Sequence, residues 1–257
     1  MQSTRLLNLR IAHIRSWVMF RVDACMITQN LKNEYLQAMG VQRWLVRAAG
    51  ESAVNDGLQV LANDIAEPLA HDWAGLEQQV SACKKCKLHE TRTQTVFGIG
   101  NRQADWLIIG EAPGAEEDRQ GEPFVGAAGK LLTEMLFAAG FSRADVYIAN
   151  ILKCRPPENR DPAPEEVACC NAYLQQQIAL MQPQLILAVG GVAAHNLLQT
   201  DEKVGQMRGT LHHYGETNIP LVVTYHPAYL LRSPLEKRKV WGDLQFAQAV
   251  YKQQNTE

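Results

Sequence analysis

Apolar residues in this chain gather into short uninterrupted runs, and helical spacing fills the stretches between them. Trp106-Leu-Ile-Ile109 is the first such run and ends at Gly110. Asp145-Val-Tyr-Ile-Ala-Asn150, Leu185-Ile-Leu-Ala-Val189 and Leu221-Val-Val-Thr-Tyr225 repeat the pattern. Runs this short, without polar alternation, predict strands covered on both faces. Apolar positions at helical spacing predict helices over about 128–139, 164–181, 191–198 and 235–253. Strands alternating with helices imply a parallel sheet between two helical layers. The predicted class is therefore α/β: a three-layer α/β/α domain around a central, mainly parallel four-stranded sheet, with a helical N-terminal extension.

The extension reads differently. Leu31, Tyr35, Met39, Trp44, Leu45 and Ala48 lie near helical spacing and predict one amphipathic helix over 30–48. From 49 to 79 mixed polar and small residues, interrupted by Pro68, predict a linker with one short helix at most. Arg5, Arg10, Arg15 and Arg21 all precede the first acid, Asp23. Transit peptides share that composition, and so does an extension upstream of a start at Met26. The expected division is 1–80 for the extension and 81–257 for the domain.

In open parallel sheets ligands bind outside the carboxyl ends of the strands. The four runs are followed there by Glu111-Ala-Pro-Gly, by Asn150, by Gly190-Gly191 and by His226-Pro-Ala-Tyr-Leu-Leu. A carboxylate, a carboxamide and an imidazole thus collect on one rim. Eight of the 18 glycines fall between 98 and 140, which marks a place of close backbone approach. Two nucleotide-binding motifs fail. Gly98-Ile-Gly100 reaches Gln103 where the dinucleotide fingerprint needs its third Gly, and Gly126-Ala-Ala-Gly129-Lys130 has Phe124 and Leu131 in place of the first Gly and the Ser or Thr of a phosphate loop.

Composition narrows the partners. With 46% hydrophobic and 20% charged residues the chain is neither disordered nor a coiled coil. Its most apolar run, 185–194, is far short of the roughly 20 residues that span a bilayer, so no membrane partner is expected. A net charge of −2 excludes a uniformly basic surface, so contact with nucleic acid must be local. Arg232, Lys237, Arg238 and Lys239 against Glu236 supply such a patch.

Six cysteines remain: Cys25, Cys83, Cys86, Cys154, Cys169 and Cys170. Cys83-Lys-Lys-Cys86 is followed by Cys154, a loop stiffened by Pro156, Pro157, Pro162 and Pro164, and then the adjacent pair. Four thiolates suit a tetrahedral zinc or an iron–sulfur cluster. The alternative is a set of buried apolar thiols. His89, His212 or His213 stands as a possible completion of a zinc site.

Four motifs in order, Gly110-Glu-Ala-Pro-Gly-Ala-Glu-Glu-Asp118, Gly121-Glu-Pro-Phe-Val-Gly126, Asn150-Ile-Leu-Lys-Cys-Arg-Pro-Pro157 and His226-Pro-Ala-Tyr-Leu-Leu231, resemble those of the family 4 uracil-DNA glycosylases, the iron–sulfur branch of the uracil-DNA glycosylase superfamily. The resemblance covers about 83–245. It implies a DNA-repair enzyme that flips uracil out of single- or double-stranded DNA and hydrolyses its N-glycosidic bond, leaving an abasic site. It also implies a [4Fe–4S] cluster on Cys83, Cys86, Cys154 and Cys170. Cys170 is preferred to Cys169 because the family's last ligand stands three residues before an aromatic-Leu pair, here Tyr173-Leu174.

Carried over residue by residue, Phe124 stacks on uracil, Asn150 reads its edge, and His226 donates to O2 with backbone N–H groups around Glu111 and Ala112. Glu117 crowds C5 against thymine's methyl. Leu230 or Leu231 fills the vacated stack, and Arg232, Lys237, Arg238 and Lys239 meet phosphates. Better-known members of the superfamily have an Asp base where this chain has Ala112, so water activation is unassigned and Glu111 is the nearest carboxylate. A monomer in the cytoplasm, on the nucleoid when bound to DNA, is expected. Two other readings fit the residues less well. A non-catalytic metal-stapled binding module has no need of Phe124, Asn150 and His226 together. Covalent uracil trapping is disfavoured because residues 155–164 contain no His.

Overall fold

The apolar runs form the four central strands of one sheet in a computed structural model that describes residues 70–254. All of these fall in one compact unit. The Arg-rich start, the helix expected at 30–48 and the linker up to residue 69 lie outside the described residues.

The strands are β1 (Ile99–Gly100), β2 (Trp106–Gly110), β3 (Tyr147–Asn150), β4 (Leu185–Val189), β5 (His212–Tyr214) and β6 (Ile219–Thr224), in the spatial order β1-β3-β2-β4-β6-β5. β3, β2, β4 and β6 are parallel, as the alternation with helices requires. β1 and β5 add an antiparallel strand at each edge. These two edge strands were not expected. Each is two or three residues long with no buried run to announce it.

The helices are α1 (Trp73–Ala82), α2 (Ala115–Gln120), α3 (Ala127–Ala138), α4 (Pro164–Met181), α5 (Gly191–Leu198), α6 (Val204–Met207), α7 (Pro227–Arg232) and α8 (Lys237–Gln254). Successive strand side chains point to opposite faces, so each central strand serves two cores. Ile108, Ile148, Leu187 and Val222 face α3 and α8, where Leu132, Leu136, Val240, Leu244 and Ala247 are buried. Leu107, Ile109, Ala149, Ile186 and Val223 face α4 and α5 through Leu174, Ile178, Ala193 and Ala194. The result is the expected three layers.

α1 begins inside the stretch read as linker. The Asp72 carboxylate accepts the Gly75 N–H at 2.7 Å and caps it, while Leu76 and Val80 bury against Phe97 and Tyr173. No helix among the described residues is long and apolar enough to cross a membrane.

Topology locates the site. From β2 the chain pairs β3 on one side, then crosses to β4 on the other. That reversal opens a crevice over the carboxyl ends of β2 and β4, which is where α/β sheets take ligands. Gly110, Asn150, Gly190 and His226 stand around it.

Candidate active site and thiol cluster

Gly110 and Asn150 are register partners at the ends of β2 and β3. A methyl on Gly110 would fall 2.5 Å from both Asn150 Oδ1 and Phe124 Cζ. The aromatic ring and the carboxamide therefore meet over a position where only hydrogen fits. Asn150 is 2% exposed, and its Oδ1 has no hydrogen-bond partner. Leaving a buried acceptor unpaired costs about 1–3 kcal/mol, so this oxygen is open to a donor from outside the chain.

Phe124 is held from three directions. Its backbone is left-handed at φ 56°, a conformation that costs a non-glycine residue on the order of 1–3 kcal/mol unless its surroundings impose it. Arg143 donates to the Phe124 carbonyl at 3.1 Å and to the Pro123 carbonyl at 2.7 Å. Glu117 Oε1 accepts the N–H groups of Val125 and Gly126, each at 2.9 Å. A Cβ on Gly129 would lie 1.8 Å from the Phe124 carbonyl oxygen, so the first turn of α3 can lie against the loop only as glycine. Glu117, expected beside uracil C5, is thus engaged in bracing the aromatic loop. Arg143 has no motif of its own and escaped sequence reasoning; folding alone brings it to Phe124.

His226 caps α7. Its Nδ1 accepts the Ala228 N–H at 3.1 Å, and its ring centroid lies 5.7 Å from that of Phe124. Burial, reinforced by the positive Arg232 and opposed by Glu117, pushes its pKa down to about 4. At neutral pH the ring is uncharged. With Nδ1 accepting, the single proton resides on Nε2, which is a donor. Glu111, directly after β2, is raised to about 7, first by burial and then by the charge of Asp161. Its neighbour Ala112 packs toward Leu152 and Cys154.

The thiols converge on the far side of the same turn. Cys83, Cys86, Cys154, Cys169 and Cys170 line one small pocket together with Lys85, Arg92 and Tyr173, and none is in a disulfide. Arg92 donates to Cys154 Sγ at 2.9 Å and to the Cys83 carbonyl at 2.8 Å. Cys170 Sγ accepts the Lys153 N–H at 3.3 Å, whereas Cys169 Sγ turns to the Lys85 carbonyl at 3.4 Å. Among the described residues no three His, Cys, Asp or Glu side chains stand at the spacing of a single ion's ligands. His89, raised as a completing ligand, places its Nδ1 against the Cys86 carbonyl at 2.8 Å, and His212 places its Nε2 against the Met207 carbonyl at 2.8 Å.

The basic segment corrects one expectation. Leu230 is fully buried in the core beneath α7, so it cannot be a wedge. Leu231 is 46% exposed and Leu235, not singled out before, is 92% exposed. Arg232, Lys237, Arg238 and Lys239 are exposed around them, with Lys239 paired to Glu236 at 2.8 Å.

An aromatic ring, an orphaned amide oxygen and a neutral imidazole thus stand together at the switch point of a parallel sheet. The family model of the uracil DNA glycosylase superfamily matches residues 97–245. Type-4 uracil-DNA glycosylases are similar over most of their own lengths. The one from Archaeoglobus fulgidus is 44% identical over 65% of this chain and 86% of its own. That of Pyrobaculum aerophilum is 43% identical over 67% and 91%, and that of Thermotoga maritima 41% over 70% and 94%. This chain belongs to the uracil DNA glycosylase superfamily, in its type-4 branch.

Proposed function

We infer that this pocket excises uracil from DNA by hydrolysing its N-glycosidic bond, releasing the base and leaving an abasic site. The observation that carries the reading is the orphaned Asn150 Oδ1 held against the Phe124 ring. A base taken out of the stack needs a π-surface and an edge reader. Phe124 supplies the first. Asn150 Oδ1 accepts uracil N3–H while its amide N–H donates to O4; cytosine presents the reverse pattern and leaves the amide mispaired.

As the bond breaks, the sugar becomes cationic and the base anionic. A fixed donor at uracil O2 lowers that barrier because the charge is largest in the transition state. The Nε2–H of His226 fills this role as a neutral donor, with the backbone N–H groups of Glu111 and Ala112 beside it. Glu111 orients the attacking water as a carboxylate. Leu231 and Leu235 fill the gap left by the base, and Arg232, Lys237 and Arg238 grip phosphates.

The all-cysteine donor set on this pocket fits an iron–sulfur cluster. An all-thiol donor set suits iron or zinc, and the resemblance to the type-4 family favours a cluster of several irons over one small ion. Cys83, Cys86, Cys154 and Cys170 would hold a [4Fe–4S] cluster, whose contribution here is to tie segments together; hydrolysis requires no electron transfer from it.

Incubation with an oligonucleotide carrying one uracil tests the function. Free uracil and an alkali-labile abasic strand are expected, and Asn150→Ala should lower the rate about 10–100-fold. No release by either protein would sink the reading, and a stable protein–DNA adduct would point to trapping.

The proton balance of Glu111 sets the acid side of the pH profile. Its carboxyl is half protonated near pH 7, so turnover should fall about tenfold per unit as pH drops below 7. His226 adds nothing there because it stays neutral down to about 4. Glu111→Gln should be slow and lack this limb. A limb near 7 that survives the substitution would remove Glu111 from water activation.

A further inference from the structure

The pocket and the thiol cluster share one residue that neither role requires. Lys153 is 1% exposed, the one Lys or Arg among the buried residues of the described chain. Its Nζ donates to the backbone carbonyl of Asn150 at 2.9 Å and to Gln177 Oε1 at 2.6 Å. Gln177 is fixed in turn, donating to the Phe97 carbonyl at 2.9 Å and to the Tyr147 hydroxyl at 3.3 Å. The backbone of Lys153 faces the other way. Its N–H reaches Cys170 Sγ at 3.3 Å, its carbonyl accepts the Val96 N–H at 2.8 Å, and Cys154 follows it in the chain.

Taking an ammonium out of water is costly, and an unbranched apolar side chain would fill the same slot without that cost. Packing therefore does not explain Lys153; its partners do. The ammonium closes the three-residue turn from Asn150, so the peptide that carries the uracil-reading amide cannot swing without breaking this bond. The same turn hangs on the cluster ligands. We propose that Lys153 is a positioning residue that transmits the geometry of the thiol cluster to Asn150, making uracil recognition depend on an intact cluster. This rests on the reading of Asn150 as the uracil reader.

Lys153→Met in the iron-loaded protein tests it. The variant is expected to keep the native iron content and visible absorption and to bind uracil-free duplex normally. Inhibition by free uracil should weaken about tenfold, and kcat/KM on uracil-containing DNA should fall about 10–100-fold. Because the effect runs through Asn150, the same substitution in an Asn150→Ala background should change the rate less than about twofold. Unchanged inhibition by uracil at native iron content would overturn the proposal, as would a full additive loss in the Asn150→Ala background. If Lys153→Met loses its iron, Gln177→Met removes the ammonium's second acceptor without touching a thiol-bearing turn. It should show the same loss of uracil affinity with iron retained, and native uracil affinity in that variant would overturn the proposal. Full activity of Asn150→Ala alone would overturn the pocket reading itself, on which the role of Lys153 depends.

Discussion

Asparagine in place of His226 should lower the rate of uracil release by about 10²–10³-fold at saturating substrate, with folding and duplex binding unchanged. Asparagine separates the two tasks of this side chain. Its Oδ1 falls near the position of the imidazole Nδ1, which accepts the Ala228 N–H and caps α7 at 3.1 Å. The cap therefore survives, while the donor at Nε2 disappears. Alanine would remove both and add about 0.5–2 kcal/mol of lost capping, confusing stability with rate. The loss should appear in kcat rather than KM, because the donor acts on charge present only as the bond breaks. Single-turnover rates with a uracil-containing duplex provide the measurement. A decline of less than fivefold for His226→Asn would show that backbone donors alone carry the leaving base, and the imidazole would be left with its capping role.

The second large effect separates the adjacent thiols. Cys170→Ser should lose iron and lower the melting temperature by about 10 °C or more, whereas Cys169→Ser should resemble the native protein in both. Removing one ligand from a metal centre that joins separate segments forfeits several kcal/mol of folding energy. At about 2–4 °C per kcal/mol for a domain of this size, that is a shift of this order. The two sulfurs leave α4 in different directions: Cys170 Sγ meets the Lys153 N–H, and Cys169 Sγ meets the Lys85 carbonyl. Iron per chain and a thermal melt decide the matter. Loss of iron from Cys169→Ser with retention in Cys170→Ser would reverse the assignment.

Much of the architecture was legible because its signals are local. Each central strand is a buried run of a few residues, and each rim residue stands at the end of its strand or within two residues of it. The edge strands were hidden because His212-His213-Tyr214 carries no apolar pattern. Leu230 and Leu231 show the limit of motif reasoning: neighbours on a helix point about 100° apart, so one joins the core and the next meets solvent. Arg143 lies 19 residues from Phe124, and nothing short of the folded sheet connects them. Lys153 did leave a trace, a lone lysine between Ile151-Leu152 and Cys154, directly after a buried strand.

The bracing of Phe124 by Arg143, Glu117 and the glycine at 129 has a consequence for where time is spent during catalysis. A platform already rigid in the free protein loses little entropy when a base lands on it, since its ordering was settled during folding. The pocket then acts as a fixed mould, and the nucleic acid must do the moving. The tempo of repair then passes to the DNA, and uracil in frayed, mismatched or single-stranded sites should be released faster than in a paired duplex.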